Sequence, residues 1–237
     1  MYENKEILTI IPARIGSKGL PKKNIKPLLG KPLIFWTIET AQDSKYIERI
    51  AVSTDDKKIA DICTNYGVQV PFLRPEELAT DDASIVDVVM HLLDYYDNVE
   101  NYFPDYVALL QPTSPLRAYY DIDKACEMLF SNNAADAIVS LTEVSESPYW
   151  MRTINDNGII NYFINHDYKD FNRQDLPVTY IANGAIYICR TDILISDKTF
   201  SPQQTIGYSM PRSRSIDIDD IIDFKLAESI LLAGGSQ

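Results

Sequence analysis

The chain has 237 residues, of which 46% are hydrophobic and 24% charged, as expected for one globular domain of ordinary size. Its formal net charge of −12 argues against general binding to nucleic acid, and no apolar run is long enough to span a bilayer. We therefore expect a cytoplasmic protein with neither nucleic-acid nor membrane partners.

Apolar runs and apolar periodicity alternate over the first 141 residues. Short apolar runs predict five strands, at 7–11, 49–53, 68–73, 106–110 and 137–141. Helical periodicity between them predicts four helices, at 33–41, 59–63, 85–93 and 122–129. The third of these helices begins at Asp82 or Ser84, either of which is a favourable N-cap. This alternation predicts an α/β fold with a doubly wound, mainly parallel sheet.

The alternation stops at Glu143. Between 143 and 181 the sequence is aromatic and polar, and the step Asn157-Gly158 predicts a hairpin that joins 151–154 to 159–163. Sheet character returns at 184–189, with a further edge strand at 206–210 and a helix on Leu226 and Leu231. We expect a single domain, 1–237, in which 143–181 is an inserted excursion that makes a dimer or acts as a lid.

The three cysteines are odd in number and widely separated. Cys63, Cys126 and Cys189 each fall in an apolar segment, and none forms a Cys-x-x-Cys pair. The sequence therefore predicts buried free thiols rather than a disulfide or a metal site.

A basic, glycine-containing loop follows the first strand. Residues 12–32 include six basic side chains and no acidic one, although the chain as a whole is acidic. Gly16 and Gly19 allow the backbone to approach a ligand, and the lysines and Arg14 supply positive charge for phosphate groups. Neither the Walker pattern nor the dinucleotide fingerprint is present. The alternative is a solvated surface patch, but the position after a strand favours a phosphate site.

Other polar loops also follow predicted strands. They lie at 53–56, 74–84 and 111–117. Because ligands of an open parallel sheet bind beyond the carboxyl ends of its strands, we expect these loops to build one crevice with the basic loop.

Residues 215–219, Ser-Ile-Asp-Ile-Asp, alternate as a strand does. The pattern places Asp217 and Asp219 on one face, where two carboxylates repel each other unless a cation or proton lies between them. Oxygen ligands of this kind suit Mg²⁺ that carries phosphates. The alternative is a solvent-facing strand edge or a helix cap.

Six motifs in chain order together resemble the acylneuraminate cytidylyltransferases, the CMP-sialic acid synthetases. They are IIPARIGSKGLPKKN (10–24), STD (53–55), LRPEELATD (73–81), LQPTSPLR (110–117), NGAIY (183–187) and SIDID (215–219). The resemblance implies a Rossmann-like nucleotidyltransferase that transfers CMP from CTP to the anomeric hydroxyl of a nine-carbon 2-keto sugar acid and releases pyrophosphate. It also implies a homodimer, built through the excursion at 143–181.

The resemblance further implies roles for particular residues. The loop from Arg14 to Asn24 would hold the CTP triphosphate, with Arg14 and Lys23 countering the charge that builds as pyrophosphate leaves. Asp217 and Asp219 would hold Mg²⁺, with Asp217 counted among the catalytic residues together with Arg14 and Lys23. The remaining substrate contacts implied by the resemblance are Gly16, Ser17, Arg74, Ala79, Asp81 and Ser84 for the nucleotide, and Gln111 and Arg173 for the sugar acid.

Several alternatives remain open at this point. Trp150 stands after Pro148-Tyr149 where related sialate enzymes carry a lysine, and a more aromatic wall would suit legionaminic or pseudaminic acid. The synthetase for the eight-carbon acid Kdo shares the chemistry, but its first loop differs. From other classes, a dinucleotide-dependent oxidoreductase lacks its third glycine here, and a non-catalytic nucleotide-binding module would not need Asp217.

Overall fold

The strands form one main sheet and two small hairpins. The protein is described here by a computed structural model, which covers residues 5–164 and 172–234. The strands found in these residues are β1 (Ile7–Pro12), β2 (Pro27–Leu28), β3 (Lys31–Pro32), β4 (Arg49–Ser53), β5 (Tyr106–Leu109), β6 (Ala137–Glu143), β7 (Arg152–Ile154), β8 (Ile160–Tyr162), β9 (Tyr180–Arg190) and β10 (Thr205–Ser209). The helices are α1 (Leu33–Gln42), α2 (Lys57–Asn65), α3 (Ile85–Glu100), α4 (Tyr119–Ser131), α5 (Thr191–Asp197) and α6 (Ile221–Leu232).

The main sheet has the order β10-β6-β9-β5-β1-β4. β1 is parallel to both of its neighbours, β4 and β5, and β10 is parallel to β6. β9 is antiparallel to β5 and β6. The predicted doubly wound, mainly parallel α/β sheet is therefore confirmed, with one antiparallel strand inserted in it.

β1 is buried on both faces, and its side chains divide the core into two layers. Ile7 and Ile11 belong to a cluster with α1, α2 and α4. Leu8 and Ile10, which point to the opposite face, belong to a cluster with α3 and α5. This two-sided burial explains why the strand has no polar alternation and why it lies in the interior of the sheet.

The predicted strand at 68–73 is wrong. The segment makes two isolated parallel bridges, Ala51 to Gln69 and Thr54 to Leu73, but no continuous ladder. Pro71 lies between the bridges and has no N–H to donate, so the pairing cannot continue through it.

The acidic segment, residues 215–219, is not a strand either. It is an extended connection between the short 3₁₀ helix Arg212–Arg214 and α6, and its Ile218 N–H donates to Thr113 O at 2.8 Å. Asp220 then caps α6 by accepting from Ile222 N–H. Without a strand, the two carboxylates have different surroundings: the Asp219 side chain is 83% exposed, and Asp217 is largely enclosed.

Other local predictions agree with the structure. Ser84, rather than Asp82, caps α3, because its hydroxyl oxygen accepts from Val86 N–H at 3.2 Å. Cys63, Cys126 and Cys189 are buried free thiols, as predicted.

In the two described stretches of the chain, no helix combines the length and apolar character needed to cross a membrane.

The predicted hairpin forms outside the main sheet as β7 and β8. Gly158 has φ +76°, which the turn requires, and Asn155 Oδ1 accepts from the N–H groups of Asn157 and Ile159. Part of the excursion, 165–171, lies outside the described residues.

A buried ion pair connects α4 to the approach to the acidic segment. The Asp121 carboxylate is fully buried and accepts from Arg214 Nε at 2.9 Å, Arg214 Nη2 at 2.8 Å and Tyr208 Oη at 2.8 Å. It also accepts from Ala118 N–H at the start of α4. The pair therefore fixes the position of the 3₁₀ helix that precedes the acidic segment.

We expect Asp121→Asn to lower the free energy of unfolding by about 3 kcal/mol, because it leaves a partly enclosed guanidinium without its counter-charge. Urea denaturation measures this change. The matched control is Asp61→Asn, which removes an exposed pair with Lys57 and should change stability by less than about 0.5 kcal/mol. Equal effects of the two substitutions would contradict the prediction.

Candidate active site

A cleft of about 500 Å³ opens beyond the carboxyl ends of β1, β4 and β5. The chain passes from β1 to β4 on one side and then returns to β5 on the other, so the cleft lies at the switch point of the sheet. Its walls come from the basic loop after β1, from 74–88, from 111–113 and from Asp219. The structure thus brings the polar loops together at one site.

The basic loop is held in shape by its own polar groups. Asn24 is buried, and its Nδ2 donates to Arg14 O at 2.8 Å, which closes the loop on itself. Ile15 N–H donates to Asp55 Oδ1 at 3.0 Å, which fastens the start of the loop to the turn after β4. Arg14 and the lysines therefore project from a fixed backbone.

The acidic segment packs directly against this loop. Lys23 Nζ lies 3.2 Å from Asp219 Oδ1 and also donates to Ile218 O. A Cβ on Gly19 would overlap the carbonyl oxygen of Asp219, so only glycine allows the two segments to approach this closely. Opposite charges from the two ends of the chain therefore meet at one edge of the cleft.

Asp81 lies on the opposite wall and pairs with two cations. Its carboxylate is 2.6 Å from Arg14 Nη2 and 2.9 Å from Lys18 Nζ, and these hydrogen bonds, Lys18 first, lower the pKa of Asp81. Arg14 Nη1 also donates to Ala79 O at 3.4 Å. One carboxylate from another loop therefore pairs with two of the cations that line the cleft.

Arg74 is a buried residue in the cleft wall formed by 74–88. Its guanidinium is buried and donates to Ser53 O at 2.7 Å and Leu78 O at 3.2 Å, so it fastens the loop of Asp81 to the end of β4. Burial lowers the pKa of Arg74, and the nearby Asp55 carboxylate opposes this effect.

Asp217 lies between β9 and the loop after β5. A Cβ on Gly184 would be 3.1 Å from Asp217 Oδ2 and 3.4 Å from Gln111 Oε1, so both side chains pack on the same glycine. Asp217 Oδ1 is buried and has no hydrogen-bond partner. Burial raises the pKa of Asp217. A hydrogen bond from the Thr113 side chain lowers it, the Asp219 carboxylate raises it, and Lys23 lowers it.

The donor set of this edge fits Mg²⁺. An enclosed carboxylate oxygen without a partner and a second, exposed carboxylate two residues away are hard oxygen ligands. Mg²⁺ is commonly bound by one or two carboxylates together with substrate phosphates and water. The described residues contain no cluster of three or more His, Cys, Asp or Glu side chains able to hold a metal.

The structure places most of the sequence-predicted site residues in the cleft. Those that line it are Arg14, Ser17, Lys23, Asn24, Arg74, Asp81, Gln111 and Asp219. Asp217 adjoins Gln111, and the Arg173 side chain lies outside what the structure describes. Gly16, Ala79 and Ser84 are not among the lining residues, although Ala79 accepts from Arg14 and Ser84 caps α3.

Some residues of the cleft were not singled out from the sequence. Thr80 and Thr113 line it, and Thr113 Oγ1 donates to Gln111 Oε1 at 3.4 Å. Each lies in a polar loop that the sequence analysis placed at the crevice, so its position in that loop was the signal that could have identified it.

A basic, glycine-containing loop at the switch point of a mainly parallel sheet is a suitable binding site for the phosphate groups of a nucleotide. The sequence comparison agrees: the family profile described as cytidylyltransferase matches residues 8–233. The chain belongs to this cytidylyltransferase family.

Two curated relatives and one solved structure show how similar this chain is to known proteins. The N-acylneuraminate cytidylyltransferase of Escherichia coli is 38% identical over 225 residues, which are 95% of this chain and 52% of that protein. The CMP-N,N'-diacetyllegionaminic acid synthase of Legionella pneumophila is 40% identical over 227 residues, 95% of this chain and 96% of that one. A CMP:2-keto-3-deoxy-manno-octonic acid synthetase complexed with CTP has a TM-score of 0.71 at 16% identity, covering 97% and 99% of the two chains, which shows a shared fold.

This chain therefore spans about half the length of the sialate relative and nearly all of the legionaminate relative.

We expect Gly19→Ala to lower the free energy of unfolding by about 1–3 kcal/mol, because the added methyl group pushes the basic loop away from the backbone of the acidic segment. Thermal unfolding of the ligand-free protein measures the loss. Gly16→Ala is the control, since no atom lies within 4 Å of its added Cβ, and its stability should change by less than about 0.5 kcal/mol. A wild-type melting temperature for Gly19→Ala would show that the two segments can separate without cost.

Proposed function

We propose that the protein transfers CMP from CTP to the anomeric hydroxyl of a nonulosonic acid and releases pyrophosphate. The observation that carries this proposal is the contact of the basic loop with the acidic segment through Gly19, Lys23 and Asp219 at the switch-point cleft. That arrangement offers cations to phosphate oxygens beside carboxylates able to hold a divalent ion. Membership of the cytidylyltransferase family supports CTP as the nucleotide.

In this proposal the basic loop binds the triphosphate. Arg14 and Lys23 face phosphate oxygens, and as the bond between the α- and β-phosphates breaks they stabilise the charge that develops on the leaving pyrophosphate. Asp81 holds Arg14 and Lys18 in place before the nucleotide arrives. Gly16, Ser17 and Asn24 supply the polar backbone and side-chain groups of the same loop.

The base and ribose would occupy the wall formed by 74–88. Arg74 keeps this wall in place through Ser53 and Leu78, and Asp81, Ala79 and Ser84 lie along it. Thr80 and Ala83 also line the cleft there.

Asp217 and Asp219 would hold Mg²⁺ in the complete site. When bound, this ion would supply positive charge to the triphosphate and lower the pKa of the attacking sugar hydroxyl. Asp217 is suited to a cation because its Oδ1 is enclosed and has no protein donor. Lys23, which already contacts Asp219, can place its charge against the phosphates on the same side.

The sugar acid would lie near Gln111, the polar side chain that packs on Gly184 beside Asp217. Arg173 would bind its carboxylate, as the family resemblance implies. Among the nine-carbon acids we place N,N'-diacetyllegionaminic acid first. The supporting observations are the 40% identity over nearly the whole legionaminate relative and the aromatic residue Trp150, where the family resemblance implies a lysine in the sialate enzymes. N-acetylneuraminate and pseudaminic acid are the competing substrates.

The test is pyrophosphate release with each of the four nucleoside triphosphates and Mg²⁺, combined in turn with diacetyllegionaminic acid, N-acetylneuraminate, pseudaminic acid and Kdo. We expect release with CTP and a nine-carbon acid, and fastest turnover with diacetyllegionaminic acid. A preference for N-acetylneuraminate would contradict the substrate ranking alone. Absence of release with every pair would contradict the proposed reaction.

Asp217→Asn provides the matched mutational test of the same reaction. We expect turnover to fall at least about 100-fold, because an enclosed carboxylate ligand is lost while the shape of the side chain is kept. Asp94→Asn, on α3, is the control and should retain wild-type turnover. Full turnover by Asp217→Asn would contradict the proposed role of Asp217 as a metal ligand.

We also propose that the excursion makes a homodimer. Its described part exposes large apolar side chains on and beside β7, β8 and the start of β9, which is unusual for a free surface. The most exposed are Ile154, Ile159, Ile160, Phe163, Val178 and Ile181. A second copy of this chain fits the patch because each copy presents the same apolar surface.

Sedimentation velocity tests this assembly. We expect a dimer for the wild-type chain and a monomer for Ile160→Glu, because the substitution buries a charge in the interface. Ile222→Glu, at a similarly exposed apolar position on α6, should remain dimeric. A monomeric wild-type protein at micromolar concentration would rule the dimer out.

A further inference from the structure

β9 leaves its regular register beside the candidate active site. Val139 pairs with Tyr187 on one side of the irregularity, and Leu141 pairs with Ala182 on the other. One residue of β6, Ser140, therefore faces four residues of β9, 183–186, which we call the β9 bulge. Bulges of this kind redirect side chains, and they are frequent next to active sites.

The β9 bulge is held by a buried polar pair. Ser140 and Asn183 are 1% and 4% exposed, and Ser140 Oγ donates to Asn183 Oδ1 at 2.6 Å. Ser140 Oγ also accepts from Ile186 N–H at 2.7 Å, and Asn183 Oδ1 accepts from Ala185 N–H at 3.2 Å. Because a backbone N–H can only donate, the Asn183 oxygen must face Ala185, and its amide nitrogen must face away from it.

That amide nitrogen reaches the acidic segment. Asn183 Nδ2 donates to Ser215 Oγ at 2.9 Å, and Ser215 Oγ donates to Pro211 O at 2.9 Å. The next residue of the β9 bulge, Gly184, packs against Asp217 and has φ +74°, a conformation that favours glycine. The β9 bulge therefore contacts the acidic segment at two points, two residues apart.

The β9 bulge is also tied to the loop of Gln111. Arg117 Nη1 donates to Ala185 O at 2.6 Å and lies 3.4 Å from Gln111 O. Arg117 is almost fully buried, and burial lowers its pKa to about 9. Three segments that meet at Asp217 thus share one buried polar network.

We propose that Asn183 is a positioning residue that sets the place of the Asp217 carboxylate through Ser215 and Gly184. The inference rests on the proposed function, in which Asp217 holds a divalent cation with CTP. An apolar residue at 183 would remove the hydrogen bond to the Ser215 hydroxyl and the side-chain hydrogen bonds that hold the β9 bulge. The Asp217 carboxylate would then no longer be held at a fixed distance from the nucleotide. Asn183 itself does not touch substrate in this assignment.

The experiment measures formation of the complex of protein, Mn²⁺ and CTP by the enhancement of water-proton relaxation, with no sugar acid present. The variants are Asn183→Ala, Ser215→Ala, the double substitution and Asp217→Asn. Ser44→Ala is the control. Ser44 follows the C-terminal end of α1, does not line the cleft, and has a buried hydroxyl that donates to Asp123 on α4. CTP binding in EDTA, measured by calorimetry, is recorded for each variant.

We expect Asn183→Ala and Ser215→Ala each to weaken the Mn²⁺–CTP complex by about 10-fold to 100-fold, the range for residues that orient metal ligands. The double substitution should lose less than the product of the two single effects, because the two residues act through one hydrogen bond. CTP binding without metal should be unchanged, and Ser44→Ala should resemble the wild type in both measurements.

The outcomes distinguish failure of the metal site at Asp217 from failure of the positioning role of Asn183. Wild-type Mn²⁺–CTP binding by Asn183→Ala, with a loss in Asp217→Asn, would overturn the role of Asn183 alone. Wild-type binding by Asp217→Asn would overturn the metal site and the role of Asn183 with it. An equal loss of metal-free CTP binding in Asn183→Ala would show a general structural role instead. If Asn183→Ala does not fold, Ser215→Ala, which changes a less buried position, decides the same question.

Discussion

The candidate site depends on the close approach of two oppositely charged segments from the two ends of the chain. The basic loop follows the first strand, and the acidic segment precedes the last helix. Glycine at position 19 allows their backbones to touch, and Lys23 joins them through Asp219. Neither segment alone is a site: the bases need a phosphate or a carboxylate, and the acids need a cation.

The sheet supplies the rigidity that this approach needs. β1 is buried between two helical layers, so the loop that follows it starts from a fixed point. The acidic segment has no ladder of its own, and buried polar groups position it instead. Asp121 holds the preceding 3₁₀ helix through Arg214, and Asn183 holds Ser215. Buried hydrogen-bond networks of this type specify a single arrangement because an unpaired member is costly.

Charge is distributed unevenly between the two sides of the cleft. In the described structure Asp81 pairs with both Arg14 and Lys18, and Asp219 pairs with Lys23. A triphosphate would compete for the same cations, whereas a divalent cation would draw Asp219 away from Lys23. Binding of nucleotide and metal should therefore favour each other, since each frees a partner that the other needs.

The sequence by itself determined the α/β class, most helices and strands, the hairpin turn and the basic loop, because apolar periodicity and glycine chemistry are local properties. It failed at 68–73, where Pro71 interrupts pairing, and at 215–219, where alternation resembled a strand that does not form. Only the tertiary structure decided that Asp217 is enclosed while Asp219 is exposed, and that Asn183 reaches Ser215. These facts depend on contacts between residues far apart in the chain, which no local pattern encodes.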